Sequence, residues 1–269
     1  MKVEILMSCM HQKDAELVKK SNLTGHVVVI NQCDAESYVE YPNKQGMIRM
    51  FSTKERGLTK SRNMAIRKSD ADICMLCDDE EIFVSEYETK IREAYELLPQ
   101  ADVIIFKMEN YPCPFPDKIM KLHFPRTLNV SSWQISFRRE RLKENGVAFD
   151  ELLGAGTENG AEEELKFLTD CEKANLQIYY VPVVIASVAQ TESTWFDGFT
   201  ETFFVNRGAT TRYILGFWLA SLYAVYYVLK KREKYKANLT MFQAFRAIFR
   251  GIWENKIEKQ KKAKDNMQG

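Results

Sequence analysis

One short stretch, residues 54–83, constrains most strongly what this chain can fold into. Gly57 precedes a short helical pattern, and an uninterrupted apolar run, ICMLC, follows at 73–77. Such a run is typical of a strand that is buried on both faces of a sheet. Four consecutive acids, Asp78 to Glu81, come directly after it. Ligands of open α/β sheets bind outside the carboxyl ends of the strands, so this sheet edge is the first candidate for a functional site.

The four acids admit two interpretations. Acids favour helix N-termini, so the run could begin the next helix as a solvated turn. Alternatively, a divalent cation could neutralise the repelling carboxylates, whose oxygens suit Mg²⁺ or Mn²⁺. Arg62 and Asn63 favour the second interpretation, because the preceding helix could return them to the same sheet edge. We therefore expect Asp78 and Glu80 to bind a metal together with a diphosphate.

These residues resemble the family 2 glycosyltransferases of GT-A fold, of the type that builds bacterial surface polysaccharides. Members carry a glycine, an Arg-Asn pair on a helix and an Asp-x-Asp motif after the fourth strand, which Gly57, Arg62-Asn63 and the segment 78–80 match. The resemblance implies that Arg62, Asn63, Asp78 and Asp79 bind a nucleotide diphosphate sugar, with a UDP-sugar favoured. It further implies inverting transfer of the sugar to a hydroxyl of a glycan acceptor, plausibly a lipid-linked one.

The order of the sequence patterns predicts an α/β fold. Strand patterns alternate with helical ones; the strand patterns lie at 3–7, 27–30, 47–51, 73–77 and 103–106. This βαβ alternation predicts a doubly wound, mainly parallel sheet. Further strands are expected at 132–137 and 177–184. We expect a GT-A catalytic domain over 1–205 and a helical appendage over 206–269.

A second acidic group lies far along the chain from the first. Three glycines between 154 and 160 precede Glu162, Glu163 and Glu164. The resembling family has a glycine-rich loop, then Glu-Asp, then a bulky apolar residue three positions on, and Glu163-Glu164 with Phe167 fits that order. The resemblance implies that Glu164, or else Glu163, is the catalytic base, although Glu162 leaves the register open by one. A helix with acids in its first turn explains the same residues without chemistry.

Three further residues are candidates for ligand contacts. Asp34 follows the second predicted strand, where the resembling family binds the nucleotide, although an Asp there could also cap its own turn. Trp133 lies in the predicted strand 132–137, which in that family runs beneath the acceptor pocket. A core aromatic is the alternative. Trp195, after the last predicted strand, is the second acceptor candidate.

The cysteines and histidines predict no zinc site. Cys74 and Cys77 have zinc spacing, but no second CxxC or His pair accompanies them, so they are expected in the core. A histidine that many GT-A enzymes use for metal binding has no counterpart, because none occurs beyond His123. Free thiols and an N-terminus without a signal-peptide pattern predict a cytoplasmic protein.

The C-terminal region has a different character from the rest. The net charge of +1 argues against a general nucleic-acid-binding surface, but residues 230–265 alone carry twelve Lys or Arg against four Asp or Glu. The seventeen uncharged residues at 213–229 are borderline for a membrane span, which takes about 20. Residues 239–253 have the pattern of an amphipathic helix, with aromatic residues on one face and basic residues on the other. We expect peripheral attachment to the inner face of the cell membrane; helices packed on the catalytic domain are the alternative.

Two other functional classes compete with glycosyl transfer. A nucleotidyltransferase that makes sugar nucleotides would share the α/β fold and the metal. It should carry a glycine-rich phosphate loop after the first strand, and residues 8–13, SCMHQK, contain no glycine. A non-catalytic scaffold that binds a partner through the basic tail is the second alternative.

Overall fold

The computed structural model describes residues 1–188 and 198–268. The chain forms two compact units, one comprising Met1–Asp150 with Glu164–Thr191 and the other Glu151–Glu163 with Glu192–Gly269. The domain boundary expected between residues 205 and 206 would cut through a long helix, Glu201–Lys230. The glycine-rich segment 151–163 belongs with the C-terminal unit, which the sequence does not indicate.

The first unit is built on a ten-stranded mixed sheet with the order β3-β4-β2-β1-β5-β9-β7-β10-β6, to which β8 pairs at β10. The strands are β1 (Val3–Met10), β2 (His26–Gln32), β3 (Ser37–Asn43), β4 (Gly46–Thr53), β5 (Ile73–Cys77), β6 (Glu81–Phe83), β7 (Val103–Met108), β8 (Met120–Lys121), β9 (Ile135–Arg138) and β10 (Ile178–Val188). Strands β1, β2, β4, β5, β7 and β10 run in one direction, and the other described strands run against them. The predicted mainly parallel α/β sheet is confirmed.

Helices cover both faces of this sheet. They are α1 (Glu16–Lys20), α2 (Leu58–Lys68), α3 (Tyr87–Leu97), α4 (Arg139–Glu144) and α5 (Glu163–Lys173), with two 3-10 turns at Arg126–Asn129 and Ser132–Gln134. Helices α1 and α3 pack on one face, and α2, α4 and α5 pack on the other. Alternate residues of β5 enter these two cores, which explains why its sequence is apolar without interruption. Cys74 and Cys77 are free and buried within β5, as expected.

Three local elements differ from the sequence-based expectation. Strand β3 is an antiparallel edge strand with a largely exposed surface, so it has no apolar pattern to predict it. Strand β6 begins at Glu81, inside the acidic run, because it pairs with the distant β10. Trp133 lies in a 3-10 turn and not in a strand. Ser131 and Gln134 cap that turn reciprocally, and the Gln134 side chain donates to the carbonyl of Phe106 at 3.0 Å.

The second unit is helical. Its helices are α6 (Glu201–Lys230), α7 (Arg232–Tyr235), α8 (Met241–Glu254) and α9 (Lys256–Gln268). Helices α6 and α8 cross where their glycines meet. A Cβ on Gly208 would lie 2.0 Å from the Ile248 carbonyl oxygen, and one on Gly251 would lie 2.0 Å from the Val205 carbonyl oxygen. Only glycine permits this backbone approach, and it brings Ile248 of the predicted amphipathic helix into the core of the unit.

Helix α6 is the one described helix long and apolar enough to cross a membrane, by length and composition alone. It kinks at Gly216, whose φ of 77° and ψ of 175° are not helical. Beyond the kink, the buried residues alternate with an exposed stripe that contains Trp218, Leu222, Tyr226 and Leu229. Part of its apolar surface therefore forms the core of the unit and part faces outward.

Candidate functional site

Arg62 and Asp78 form an ion pair at the carboxyl end of β5. Arg62 projects from α2 and is 1% exposed, and its Nη2 donates to both carboxylate oxygens of Asp78, each at 3.0 Å. The Ser132 hydroxyl donates to Asp78 Oδ2 at 3.2 Å. The carboxylate is thus fixed by α2 and by the 132–134 turn. The sequence predicted that α2 and the acidic run meet at this sheet edge, and the structure brings them together there.

The four consecutive acids lie in different environments. Asp78, Asp79 and Glu80 form the turn after β5, whereas Glu81 is buried as the first residue of β6. The Asp78 backbone N–H donates to Glu81 Oε1 at 2.8 Å. Burial raises the pKa of Glu81 well above its usual value, and the charges of Asp78 and Asp79 add to that shift. Glu81 is thus a buried side chain that accepts from the backbone of the turn.

The acidic turn fits a divalent cation in donor type but does not form a closed cage. Asp78 and Glu80 offer the carboxylate oxygens that Mg²⁺ and Mn²⁺ prefer. Within residues 1–188 and 198–268, no group of three or more His, Cys, Asp or Glu side chains is placed to hold a metal ion. A cation held here by one or two carboxylates would complete its shell with phosphate oxygens and water, which is the usual arrangement for Mg²⁺.

Phe149 connects the Arg62–Asp78 pair to α5. The Arg62 guanidinium lies over the Phe149 ring, 5.4 Å from its centroid. The Asn63 side chain donates to the Phe149 carbonyl and accepts from its N–H, both at 2.9 Å. The Phe149 ring also stacks on Phe167 of α5, with centroids 4.4 Å apart and planes 7° apart. Contacts therefore run without a break from Asp78 to α5.

The predicted base candidates lie at the start of α5. Glu163 is the first residue of the helix and is buried, whereas Glu164 is half-buried and so is the more accessible of the two. Phe167 lies one turn after Glu164 on the same side of the helix. The contacts of Phe149 with Phe167 and with Arg62 thus connect α5, which carries Glu164, to the Asp78 carboxylate. That the two acidic groups share one cleft stays a prediction.

Asp34 lies in the loop after β2, beside the start of α2. Its carboxylate is highly exposed and forms an ion pair of 2.6 Å with Arg56, which also donates to the Cys33 carbonyl at 2.9 Å. The Gly57 N–H donates to the Gln32 side chain at 2.7 Å, which ties the start of α2 to the end of β2. This leaves Asp34 on the same edge of the sheet as the acidic turn, with its carboxylate open to solvent.

Trp133 lies next to Ser132, the hydroxyl donor to Asp78. Its ring meets Tyr111 edge to face, with centroids 5.3 Å apart, and Tyr111 accepts from the Ser131 hydroxyl at 3.2 Å. The indole N–H is buried and has no hydrogen-bond partner in the described part of the chain. The other acceptor candidate, Trp195, lies outside the described residues.

Sequence reasoning missed Phe149, Ser132 and Arg56. Phe149 is a single aromatic residue outside any periodic pattern, and its position between two helices depends on residues 86 apart in the chain. Ser132 lies in the segment 132–137, which the sequence predicts to be a strand. Only Arg56 carried a usable signal, because it directly precedes Gly57 of the glycine-helix motif.

Comparisons with known proteins show the fold but not the family. No protein-family profile and no curated protein sequence matches the chain. Among solved structures, S. aureus TarS 1–349 in complex with UDP-GlcNAc is 15% identical, with a TM-score of 0.62 over 94% of this chain and 82% of that chain. The complex of TarS 1–349 with UDP is 14% identical, with a TM-score of 0.58 over 94% and 81%. The chain thus has a GT-A-like glycosyltransferase fold with a C-terminal helical region.

Proposed function

We propose that this protein is an inverting glycosyltransferase that uses a nucleotide diphosphate sugar, preferably a UDP-sugar, and a hydroxyl of a glycan acceptor. The observation that carries the proposal is the continuous set of contacts Asp78–Arg62–Phe149–Phe167. It links a carboxylate at the carboxyl end of β5 to the helix that bears Glu164. The GT-A-like fold supports it, since TarS structures of that fold contain UDP and UDP-GlcNAc.

We assign each candidate residue a role in the proposed reaction. In the proposed reaction the acceptor oxygen attacks the anomeric carbon as the bond to the diphosphate breaks on the opposite face, and Glu164 takes the hydroxyl proton. Asp34 would contact the ribose or base, and Trp133 the acceptor. Arg62 would hold the Asp78 carboxylate in position, because its buried side chain donates to both oxygens of that carboxylate.

A divalent cation is part of the proposal. Mg²⁺ or Mn²⁺ would be held by Asp78 and Glu80, with Asp79 beside them. When bound, it would supply positive charge to the leaving diphosphate.

A donor screen tests the proposal. The purified protein is incubated with UDP-, GDP- and dTDP-sugars plus Mn²⁺, and release of the nucleoside diphosphate is measured. We expect slow hydrolysis of one donor, lost in Asp78→Asn and retained in the control Asp70→Asn, whose carboxylate is exposed and paired with Lys2. Exchange of pyrophosphate would instead indicate a nucleotidyltransferase. No release with any donor would indicate a scaffold.

We further propose that the second unit attaches the protein to the cytoplasmic face of a membrane and thereby gives access to a lipid-linked acceptor. Trp218 and Phe242 are 79% and 76% exposed, and the outward stripe of α6 runs into the basic triplet 230–232. Apolar and aromatic side chains beside clustered lysines and arginines suit an interface rich in anionic lipid.

Vesicle co-sedimentation tests this attachment. We expect binding to phosphatidylglycerol vesicles that weakens with salt, and weaker binding to phosphatidylcholine vesicles. Trp218→Ser and Phe242→Ser should each reduce it, whereas Leu97→Ser, at an exposed leucine of the first unit, should not. A protein that stays in the supernatant with both vesicle types would contradict the proposal.

A further inference from the structure

The segment 151–163 is held by the helices of the second unit. The Gln260 side chain of α9 donates to Glu158 at 2.9 Å, and the Asn159 side chain lies 3.3 Å from Gln260. Asn159 also donates to the Leu152 carbonyl at 2.9 Å, so it closes the loop on itself. The segment that leads into Glu163 and Glu164 thus rests on the C-terminal helices.

The strongest of these attachments is an ion pair between Arg207 of α6 and Glu162. Both side chains are largely buried. The Arg207 guanidinium also lies over the rings of Phe203 and Tyr227, 5.2 Å and 4.8 Å from their centroids, and donates to the Tyr223 hydroxyl at 3.4 Å. An aromatic enclosure of this kind restricts the guanidinium to one place, so the carboxylate of Glu162 is restricted as well.

The backbone of Glu162 is in an uncommon conformation. Its φ of 71° lies in the left-handed region, which a non-glycine residue adopts only when its surroundings hold it there. Glu162 directly precedes α5, so its backbone angles set the direction in which the chain enters that helix. The ion pair with Arg207 is the described contact that holds this side chain.

We propose that Arg207 is a positioning residue for the base: its pair with Glu162 fixes the chain entering α5 and so orients Glu163 and Glu164. The inference rests on the proposed function, because that function assigns the role of base to Glu163 or Glu164. It predicts that loss of the Arg207–Glu162 pair impairs turnover independently of any membrane attachment.

A double-mutant cycle in the full-length protein tests the inference. Arg207→Met and Glu162→Gln should each lower kcat for nucleotide release by roughly tenfold to hundredfold, because small displacements of a catalytic group are that costly. KM for the donor should change by less than about twofold, because neither residue belongs to the proposed donor site. The double variant should be no slower than the single ones. Losses that multiply, or a rise in KM with kcat unchanged, would overturn the inference.

A matched control separates this effect from general damage to the second unit. Arg250 of α8 pairs with Glu201 of α6 at 3.1 Å in the same unit, but both side chains are about half exposed. Arg250→Met should leave kcat unchanged. A loss of kcat equal to that of Arg207→Met would overturn the positioning role.

Amide hydrogen exchange provides a readout that does not depend on activity. We expect faster exchange across 163–168 in Arg207→Met than in the wild type, with little change in Arg250→Met. Unchanged exchange would overturn the inference whether or not any donor is turned over. A wild-type protein without turnover, together with faster exchange in Arg207→Met, would refute the proposed function and leave the positioning contact supported.

Discussion

Replacing Phe149 with leucine tests the connection between the two acidic groups. The change removes the stacking with Phe167, worth about 0.5–1.5 kcal/mol, and the contact with the buried Arg62 guanidinium, worth about 1–2 kcal/mol. We expect the free energy of unfolding to fall by roughly 1.5–3.5 kcal/mol. Because Arg62 then holds Asp78 less firmly, UDP affinity should fall by roughly threefold to tenfold, since 1.4 kcal/mol is a factor of ten.

Phe137→Leu is the matched control. Phe137 is fully buried and also contacts Phe167, with ring centroids 5.8 Å apart, but it is not the ring beneath Arg62. In the Phe137→Leu variant the free energy of unfolding should fall by about 0.5–1.5 kcal/mol, and the affinity for UDP should stay within about twofold of the wild-type value. Urea unfolding and calorimetric titration with UDP measure both quantities. Equal losses of affinity in the two variants would refute the connection through Phe149.

Three further predictions concern single contacts. Asp78→Ala should lower the free energy of unfolding by about 1.5–3 kcal/mol, because it removes the carboxylate that accepts hydrogen bonds from the buried Arg62 guanidinium; urea unfolding measures the loss, and an unchanged free energy would contradict the prediction. In metal-free buffer, the free energy of unfolding of the wild type should fall relative to that of Glu81→Gln as the pH rises above 4.5, the usual pKa of a glutamate. The reason is that the raised pKa of Glu81 favours its protonated form in the folded state. A difference that does not change with pH would contradict this. Gly251→Ala should lower the melting temperature, at a cost of about 1–3 kcal/mol, because its methyl group would meet the Val205 carbonyl oxygen, and an unchanged transition would show that the helix crossing adapts.

The sheet could be predicted because its signals are local. The apolar run of β5 reports burial on both faces, and the acids that follow mark the end of the strand. Strand β3 could not be predicted in the same way. Its side chains are mostly exposed, and its place comes from antiparallel pairing with β4, to which it is joined by a tight turn.

The sequence predicted only part of the candidate site, because several of its contacts join residues that are far apart in the chain. Nothing local distinguishes Glu81 from its three acidic neighbours, and its burial follows from the pairing of β6 with β10. Phe149 shows no pattern at all. The attachment of 151–163 to α6 depends on Arg207, which is 45 residues from Glu162.

The sequence alone does not distinguish the exposed surface of the helical tail from its buried surface. Periodicity identified an amphipathic helix, but it could not show that Ile248 and Ile252 lie in the core of the unit while Phe242 faces outward. That division depends on the close approach at Gly208, which has no periodic signal of its own.

A crystal structure of the protein with UDP-GlcNAc and Mn²⁺ tests the central claim most directly. A base must lie within hydrogen-bond reach of the acceptor oxygen, and that oxygen must lie close to the anomeric carbon. The diphosphate should therefore lie at the Asp78 turn, with the anomeric carbon within about 7 Å of the Glu164 carboxylate. A donor bound away from Asp78, or an anomeric carbon farther than about 10 Å from both Glu163 and Glu164, would contradict the claim that the two acidic groups serve one reaction.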